Sequence, residues 1–223
     1  MLDHAQTHLL REGAKCLGLE LSDENLARFA IYLEEIQRWS KVIDLVAQPD
    51  PETVIRKHLL DSLAVSALVP PDSRLLDLGS GAGFPGLVLA IVGAVREVAL
   101  VEARRKRVSF LKEVVRRTQA MNVRVYEGRA EVLAAEESLR AYFGVVITRA
   151  TWTLKEFLRL ASPFVADSGI ALAMKGPQGE KELSELDPYL QTVGFCLQNR
   201  HAYTLPFGTE RRQAILFAKE CST

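Results

Sequence analysis

Cysteine is scarce in this chain. Cys16, Cys196 and Cys221 are isolated, odd in number and nowhere spaced as C-x-x-C, which points away from disulfide cross-links and from a thiolate zinc site. No apolar run approaches the roughly 18 residues that a membrane-spanning helix requires. The first residues include Asp3, His4 and Gln6 where a signal segment would place a basic stretch and then an apolar one. A cytoplasmic protein is therefore expected. Excess charge is also missing: 28 basic residues balance 28 acidic ones, so overall charge gives no hint of a nucleic-acid partner. Low-complexity tracts and internal repeats are absent as well. What remains is ordinary for a globular chain, 48% apolar and 25% charged over 223 residues. That is enough for one good-sized core, or a core plus a small helical extension.

Against this plain background one stretch stands out, Asp77-Leu78-Gly79-Ser80-Gly81-Ala82-Gly83-Phe84-Pro85-Gly86. It follows an apolar strand pattern (Leu75, Leu76) and precedes an apolar helical one (Leu87, Val88, Leu89, Ile91, Val92). Glycines at a strand-to-helix turn let the backbone bend sharply and approach a ligand, because no Cβ intervenes. A P-loop is excluded, since Lys-Ser/Thr must follow its last glycine and Leu87-Val88 stands there. Gly81, Gly83 and Gly86 do fit the G-x-G-x-x-G of dinucleotide folds, whose helix N-terminus receives an anionic pyrophosphate. Asp77 places negative charge where that pyrophosphate would arrive. It suits a ligand bearing an ammonium and a sulfonium instead, S-adenosylmethionine. Pro85 is expected in the first turn of the next helix.

Glu102 closes the next apolar run, Val98-Ala99-Leu100-Val101, and lies 23 positions after Gly79. This is near the spacing of about 20 at which an acidic side chain meets ribose hydroxyls. The alternative is that Glu102 balances the Arg104-Arg105-Lys106-Arg107 run. Between Arg104 and Arg117 there are seven basic residues and one acid, Glu113. Arg56-Lys57-His58 and Arg211-Arg212 are smaller basic groups. Such clusters contact phosphates on a nucleic-acid enzyme, or simply form a solvated helix face.

Residues 1–70 show helical spacing, with a helix start at Ser22-Asp23-Glu24, a second helical region after Pro51, and a firm boundary at Pro70-Pro71-Asp72. They are expected to form an N-terminal helical extension packed on a core of residues 71–223. From residue 74 onward strands and helices alternate, with strands expected at 74–78, 96–101, 123–127, 143–148 and 169–174. This is the signature of an α/β fold with a doubly wound, mainly parallel sheet. Two extended stretches, 195–204 and 212–218, joined by Leu205-Pro206-Phe207-Gly208, predict an antiparallel pair at the sheet edge. Residues 77–86, 102, 128–131, 148–150 and 175–176 all fall at strand ends and should converge on one cleft.

Trp39, the His58-Leu59-Leu60-Asp61-Ser62-Leu63 segment, the glycine turn with its Phe-Pro-Gly ending, Glu102 with Lys106-Arg107, Gly128-Arg129-Ala130-Glu131, Thr148-Arg149-Ala150 and Lys175-Gly176 occur in that order. In these motifs the chain resembles the RsmG (GidB) family, bacterial methyltransferases of guanine N7 in 16S ribosomal RNA. It departs from the family at Asp44-Leu45-Val46, Ala103 and Thr148, where Asn-Leu-Thr, Ser and Ser are usual. The resemblance implies a Rossmann-like class I methyltransferase that uses S-adenosylmethionine, releases S-adenosylhomocysteine and acts on the small ribosomal subunit. A monomer without a metal is expected.

The resemblance further implies that Gly79, Phe84, Ala130, Glu131 and Arg149 line the cofactor pocket, alongside Asp77, Gly81, Gly83 and Glu102. Glu131 either reads the adenine edge or is a helix N-terminal acid favoured by the dipole. Arg149 has three possible partners: the methionine carboxylate, O6 of the target guanine, or a pocket acid. Lys175 meets either a substrate phosphate or a pocket acid. Arg56, Lys57, His58, Arg104, Arg105 and Arg107 are the remaining RNA candidates. The chain has neither an Asn/Asp-Pro-Pro-Tyr segment nor a cysteine at a strand end within the expected cleft. Guanine N7 needs neither, since its lone pair is free, and Arg149 then serves in positioning with no general base. Rival readings are a nicotinamide-dependent oxidoreductase, a methyltransferase of another RNA or a small molecule, and a non-catalytic binding protein.

Overall fold

The computed structural model describes residues 2–149 and 152–219; Ala150 and Cys221, noted above, lie outside the described residues. Two helices open the chain, α1 (His4–Cys16) and α2 (Asp23–Ser40), each started by a capping box: Asp3 with Gln6, and Ser22 with Asn25. These pairs satisfy backbone N–H groups that the first helical turn leaves open. The helical region expected after Pro51 is broken into α3 (Pro51–Val54), a π-helical turn Ile55–Leu59, and α4 (Leu60–Ala64).

Strands and helices then alternate: β1 (Arg74–Leu78), α5 (Gly86–Ile91), β2 (Glu97–Glu102), α6 (Arg105–Thr118), β3 (Val123–Glu127), α7 (Ala130–Leu133), β4 (Phe143–Arg149), α8 (Leu154–Ala161) and β5 (Val165–Lys175). Two short helices, α9 (Gly179–Ser184) and α10 (Asp187–Leu190), lead to β6 (Phe195–Thr204) and β7 (Arg211–Lys219). The seven strands lie in the order β3-β2-β1-β4-β5-β7-β6. Neighbours from β3 through β5 run parallel, whereas β7 pairs antiparallel with β5 and with β6. The edge pair expected from the sequence is present, with β6 outermost. Strand β5 starts four residues earlier than expected. Its register against β4 shifts between Phe143/Val145, and Ser168 there takes a positive φ of 62°.

The central strands are buried on both faces, as parallel strands between helix layers must be. Leu75, Val98, Leu100, Val145 and Ile147 face one core cluster, and Leu76, Ala99, Val101 and Val146 face the other. Period-two alternation thus assigns each strand residue to a layer. The N-terminal helices belong to the first cluster: Leu10, Phe29, Leu33, Ile36, Leu59 and Leu63 are all buried in it. Each such side chain contributes about 1.5–3 kcal/mol through burial. A polar clasp adds to this. Glu35 on α2 is fully buried and accepts from Arg38, Trp39 and Arg117 of α6. Among the described residues no helix is long and apolar enough to cross a membrane.

Candidate active site

The turn between β1 and α5 is held from below. Gly79, Gly81 and Gly83 have φ of 65°, 57° and 95°, a region costly for any residue with a Cβ. A Cβ on Gly83 would sit 2.7 Å from the Tyr32 hydroxyl, and one on Gly86 would sit 2.9 Å from Asp77 Oδ2. Tyr32, fully buried on α2, donates its hydroxyl to the Ala82 carbonyl. Ser80 N–H donates to the Val101 carbonyl at 3.0 Å, stitching the turn to β2. Pro85, expected inside the helix, precedes the first helical residue, Gly86.

Asp77 lies beneath this turn, with no exposed surface. Its Oδ2 accepts from Gly86 N–H at 2.9 Å, while Oδ1 is buried without a hydrogen-bond partner. Burial raises its pKa to about 7, against the opposing pull of the Gly86 N–H and the Arg149 charge. Glu102 ends β2 and accepts from Gly81 N–H at 3.0 Å and Arg104 N–H at 2.8 Å. Its carboxylate therefore shapes the turn from the far side.

The single cleft expected from the strand ends is instead two adjoining cavities. The first, about 380 Å³, lies over the ends of β1, β2 and β3. It is lined by Gly79, Glu102, Arg104, Arg107, Gly128, Ala130, Glu131 and Trp152, among others. Its volume falls within the range of ligand pockets. Glu131, exposed, forms a 3.5 Å ion pair with Arg159. The second cavity, about 420 Å³, lies over the ends of β4 and β5 and the start of β7. Lys57, His58, Asp61, Arg149, Lys175, Tyr203 and Arg212 line it. The boundary between the two falls between β1 and β4, where the strand order reverses; in open α/β sheets this is the switch point at which ligands bind.

Arg149 ends β4 at this boundary. Its guanidinium stands 4.9 Å over the Phe84 ring, 3.5 Å from Asp61 Oδ2 and 3.0 Å from His58 Nδ1. Phe84 is sandwiched, its ring 5.5 Å from Tyr32 on one side and stacked at 5.1 Å on His58 on the other. Burial and the nearby Arg149, Lys57 and Arg212 charges lower the His58 pKa to about 3, so the ring is neutral at physiological pH and Nδ1 accepts from Arg149. Asp61 Oδ1 accepts from the Tyr203 hydroxyl at 2.8 Å. Burial raises the Asp61 pKa, and Arg149 and Tyr203 counter it.

The basic candidates are distributed unevenly. Arg104 and Arg105 are exposed at the start of α6. Arg107 donates to the Asp44 carbonyl at 2.8 Å, tying down the loop after α2. Arg116 and Arg117, at the other end of α6, are paired with Glu113, Glu34 and Glu35. Arg56 pairs with Glu52 at 2.9 Å and lies over the Phe207 ring. Lys175 is buried, 2.9 Å from Glu182, and donates to the Trp152 carbonyl. Sequence reading missed Tyr32, Trp152, Glu182 and Tyr203. Asp61 carried a usable signal, since a three-residue spacing from His58 places both on one helical face. Among the described residues, no group of three or more His, Cys, Asp or Glu side chains is placed to hold a metal ion.

Residues 25–211 match the family described as rRNA small subunit methyltransferase G. The chain belongs to this family. Relatives named ribosomal RNA small subunit methyltransferase G include that of Syntrophus aciditrophicus, 35% identical over 96% of this chain and 90% of that protein. That of Syntrophotalea carbinolica is 36% identical over 94% and 97%. Among solved structures, M. jannaschii TYW2 in complex with AdoMet superposes with a TM-score of 0.57 at 15% identity, covering 72% of this chain and 74% of that one. The YcgJ protein from Bacillus subtilis gives 0.58 at 14% identity, covering 74% and 100%. At such identities the structural likeness speaks for the fold alone, that of a class I methyltransferase.

Proposed function

We propose that this chain, acting in the cytoplasm, transfers a methyl group from S-adenosylmethionine to N7 of a guanine in a loop of 16S ribosomal RNA. The observation that carries this reading is the pair of adjoining cavities at the β1/β4 boundary. One is rimmed by Gly79 and Glu102, the other by cationic and neutral polar side chains and the carboxylate of Asp61. The residues of the first suit the cofactor. Glu102 suits ribose hydroxyls and the Gly79 backbone the methionine portion, while Asp77, buried beneath the turn and outside that lining, adds a carboxylate with one unpartnered oxygen below them. Bound there, S-adenosylmethionine supplies an electrophilic methyl on a sulfonium, and S-adenosylhomocysteine is what remains.

The chain's own part is alignment and electrostatics. Phe84 and Arg149 wall the boundary that the acceptor must reach, and a rigid wall raises the fraction of well-aligned encounters. N7 attacks with a lone pair already free, so no side chain has to remove a proton. The product purine is cationic, so a further cation facing it would be costly. Neutral His58 adds no opposing charge. Arg104 and Arg105, exposed beside the first cavity, are placed for phosphates.

The test is transfer of labelled methyl to small-subunit particles from cells that lack this gene. Label recovered as N7-methylguanosine at one position is the expected result. Intact cofactor binding with no label in the RNA would overturn the reading.

A further inference from the structure

Asp61 has no task in the alignment just described, yet it is 5% exposed, carries the only carboxylate among the described residues lining the second cavity, and is fixed from two sides. Tyr203 donates to one oxygen and Arg149 flanks the other. Burying a carboxylate is costly unless it is paired and hydrogen-bonded. Pairing with Arg149 alone would not require it to line a cavity. From the methyl-transfer reading above we infer that Asp61 reads the N1–H and 2-amino edge of the target base, selecting guanine over adenine.

The order of groups along guanine matches the order of residues along the cavity. From N7 the edge runs to O6, then N1–H, then the 2-amino group. With N7 turned to the glycine turn at the β1/β4 boundary, O6 comes next, at the strand end occupied by Arg149. The two donors come after it, for Asp61, which lies 3.5 Å from the guanidinium. Adenine reverses both contacts. Its 6-amino donor would meet the guanidinium and its N1 acceptor the carboxylate, leaving buried polar groups unpaired on each side. A site built to hydrogen-bond a group rejects the analogue lacking it far more strongly than an apolar pocket does. Enzymes that take a base out of its stack commonly read this same edge.

The carboxylate also gains strength as the reaction proceeds. The N7 lone pair forms the new C–N bond while the C–S pair returns to sulfur, so the positive charge passes from the sulfonium to the purine. The N1 proton stays on the base and becomes more acidic. The bond from N1–H to Asp61 is thus stronger in the transition state than before it, the kind of contact that raises turnover.

The experiment compares particles carrying guanine with particles carrying inosine, which lacks only the 2-amino group, at the methylated position. The unaltered chain is expected to methylate inosine about tenfold more slowly, the scale of one charge-assisted hydrogen bond. Asp61→Asn is expected to slow transfer to guanine by a similar factor and to lose the distinction between the two bases. Its affinity for S-adenosylhomocysteine should stay within about twofold of the parent. Should Asp61→Asn fail to fold, Tyr203→Phe, which removes the hydroxyl that holds the carboxylate in position, is expected to shrink the inosine penalty. An unaltered chain that ignores the 2-amino group, or a variant that keeps the full penalty, overturns the assignment. Absence of any transfer to guanine sinks the methyl-transfer reading itself, and this assignment with it.

Discussion

Tyr32 and Ala82 are fifty positions apart in the chain, yet the hydroxyl of one donates to the carbonyl of the other at the centre of the glycine turn. The N-terminal helices therefore support the glycine turn directly, in addition to covering a core face. Tyr32→Phe leaves the ring in place but strands a buried carbonyl, a loss of about 1–3 kcal/mol. Weaker binding of S-adenosylhomocysteine and a lower unfolding temperature are expected together. Calorimetry and thermal melts check both, and unchanged affinity would mean the turn holds its shape without the strut.

Glu35 is buried between Arg38, Trp39 and Arg117. Glu35→Gln removes the charge that both guanidinium groups share, and an expected 1–3 kcal/mol of stability goes with it. Urea denaturation measures this. A change below about 0.5 kcal/mol would place the clasp with ordinary surface pairs.

Asp77 gives a pH dependence of definite sign. Its pKa rises from the ordinary carboxylate value to about 7 in the folded, ligand-free chain, so the folded state holds a proton that the unfolded state releases. The stability from this group is fully present below the unfolded value near 4 and is lost as pH rises through about 7. Asp77→Asn should flatten this decline between pH 4 and 7 in denaturation curves. A variant whose decline matches the parent would exclude Asp77 as its source.

Arg104→Ala with Arg105→Ala should lower affinity for ribosomal RNA and reduce the slope of log K against log salt by about one to two. The same change at Arg116, already held by Glu113, should leave that slope nearly untouched. Filter binding across a salt series separates the two ends of the helix.

Much of this architecture was written locally. Strands β1 to β4, β6 and β7 were predicted within a residue or two, because alternating or continuous apolar runs bounded by glycine or charge are short-range signals. The early start of β5 was hidden by Ser168 and the register shift beside it. Gly79, Glu102, Ala130 and Glu131 came together because each lies at or just beyond the end of a parallel strand, whereas Asp77, Gly81, Gly83 and Phe84, expected in the same pocket, are outside its lining, and Arg149 lines the second cavity instead. Asp77 was legible as an acid at the turn, but its burial was not, because that depends on α5 packing over it. Most residues of the second cavity were named, among them Lys57, His58, Arg149 and Lys175, but its closing contact was not: Asp61 and Tyr203 are 142 positions apart, and no local pattern announces a partner at that distance.

That separation has a temporal side. Every residue known to rim the first cavity has been synthesised by Trp152, whereas the second waits for Tyr203 and Arg212 at the far end of the chain. A partly made chain that ends before Tyr203 therefore lacks part of the second cavity's lining. On the methyl-transfer reading, the cofactor's cavity has its residues in hand about fifty positions before the acceptor's does.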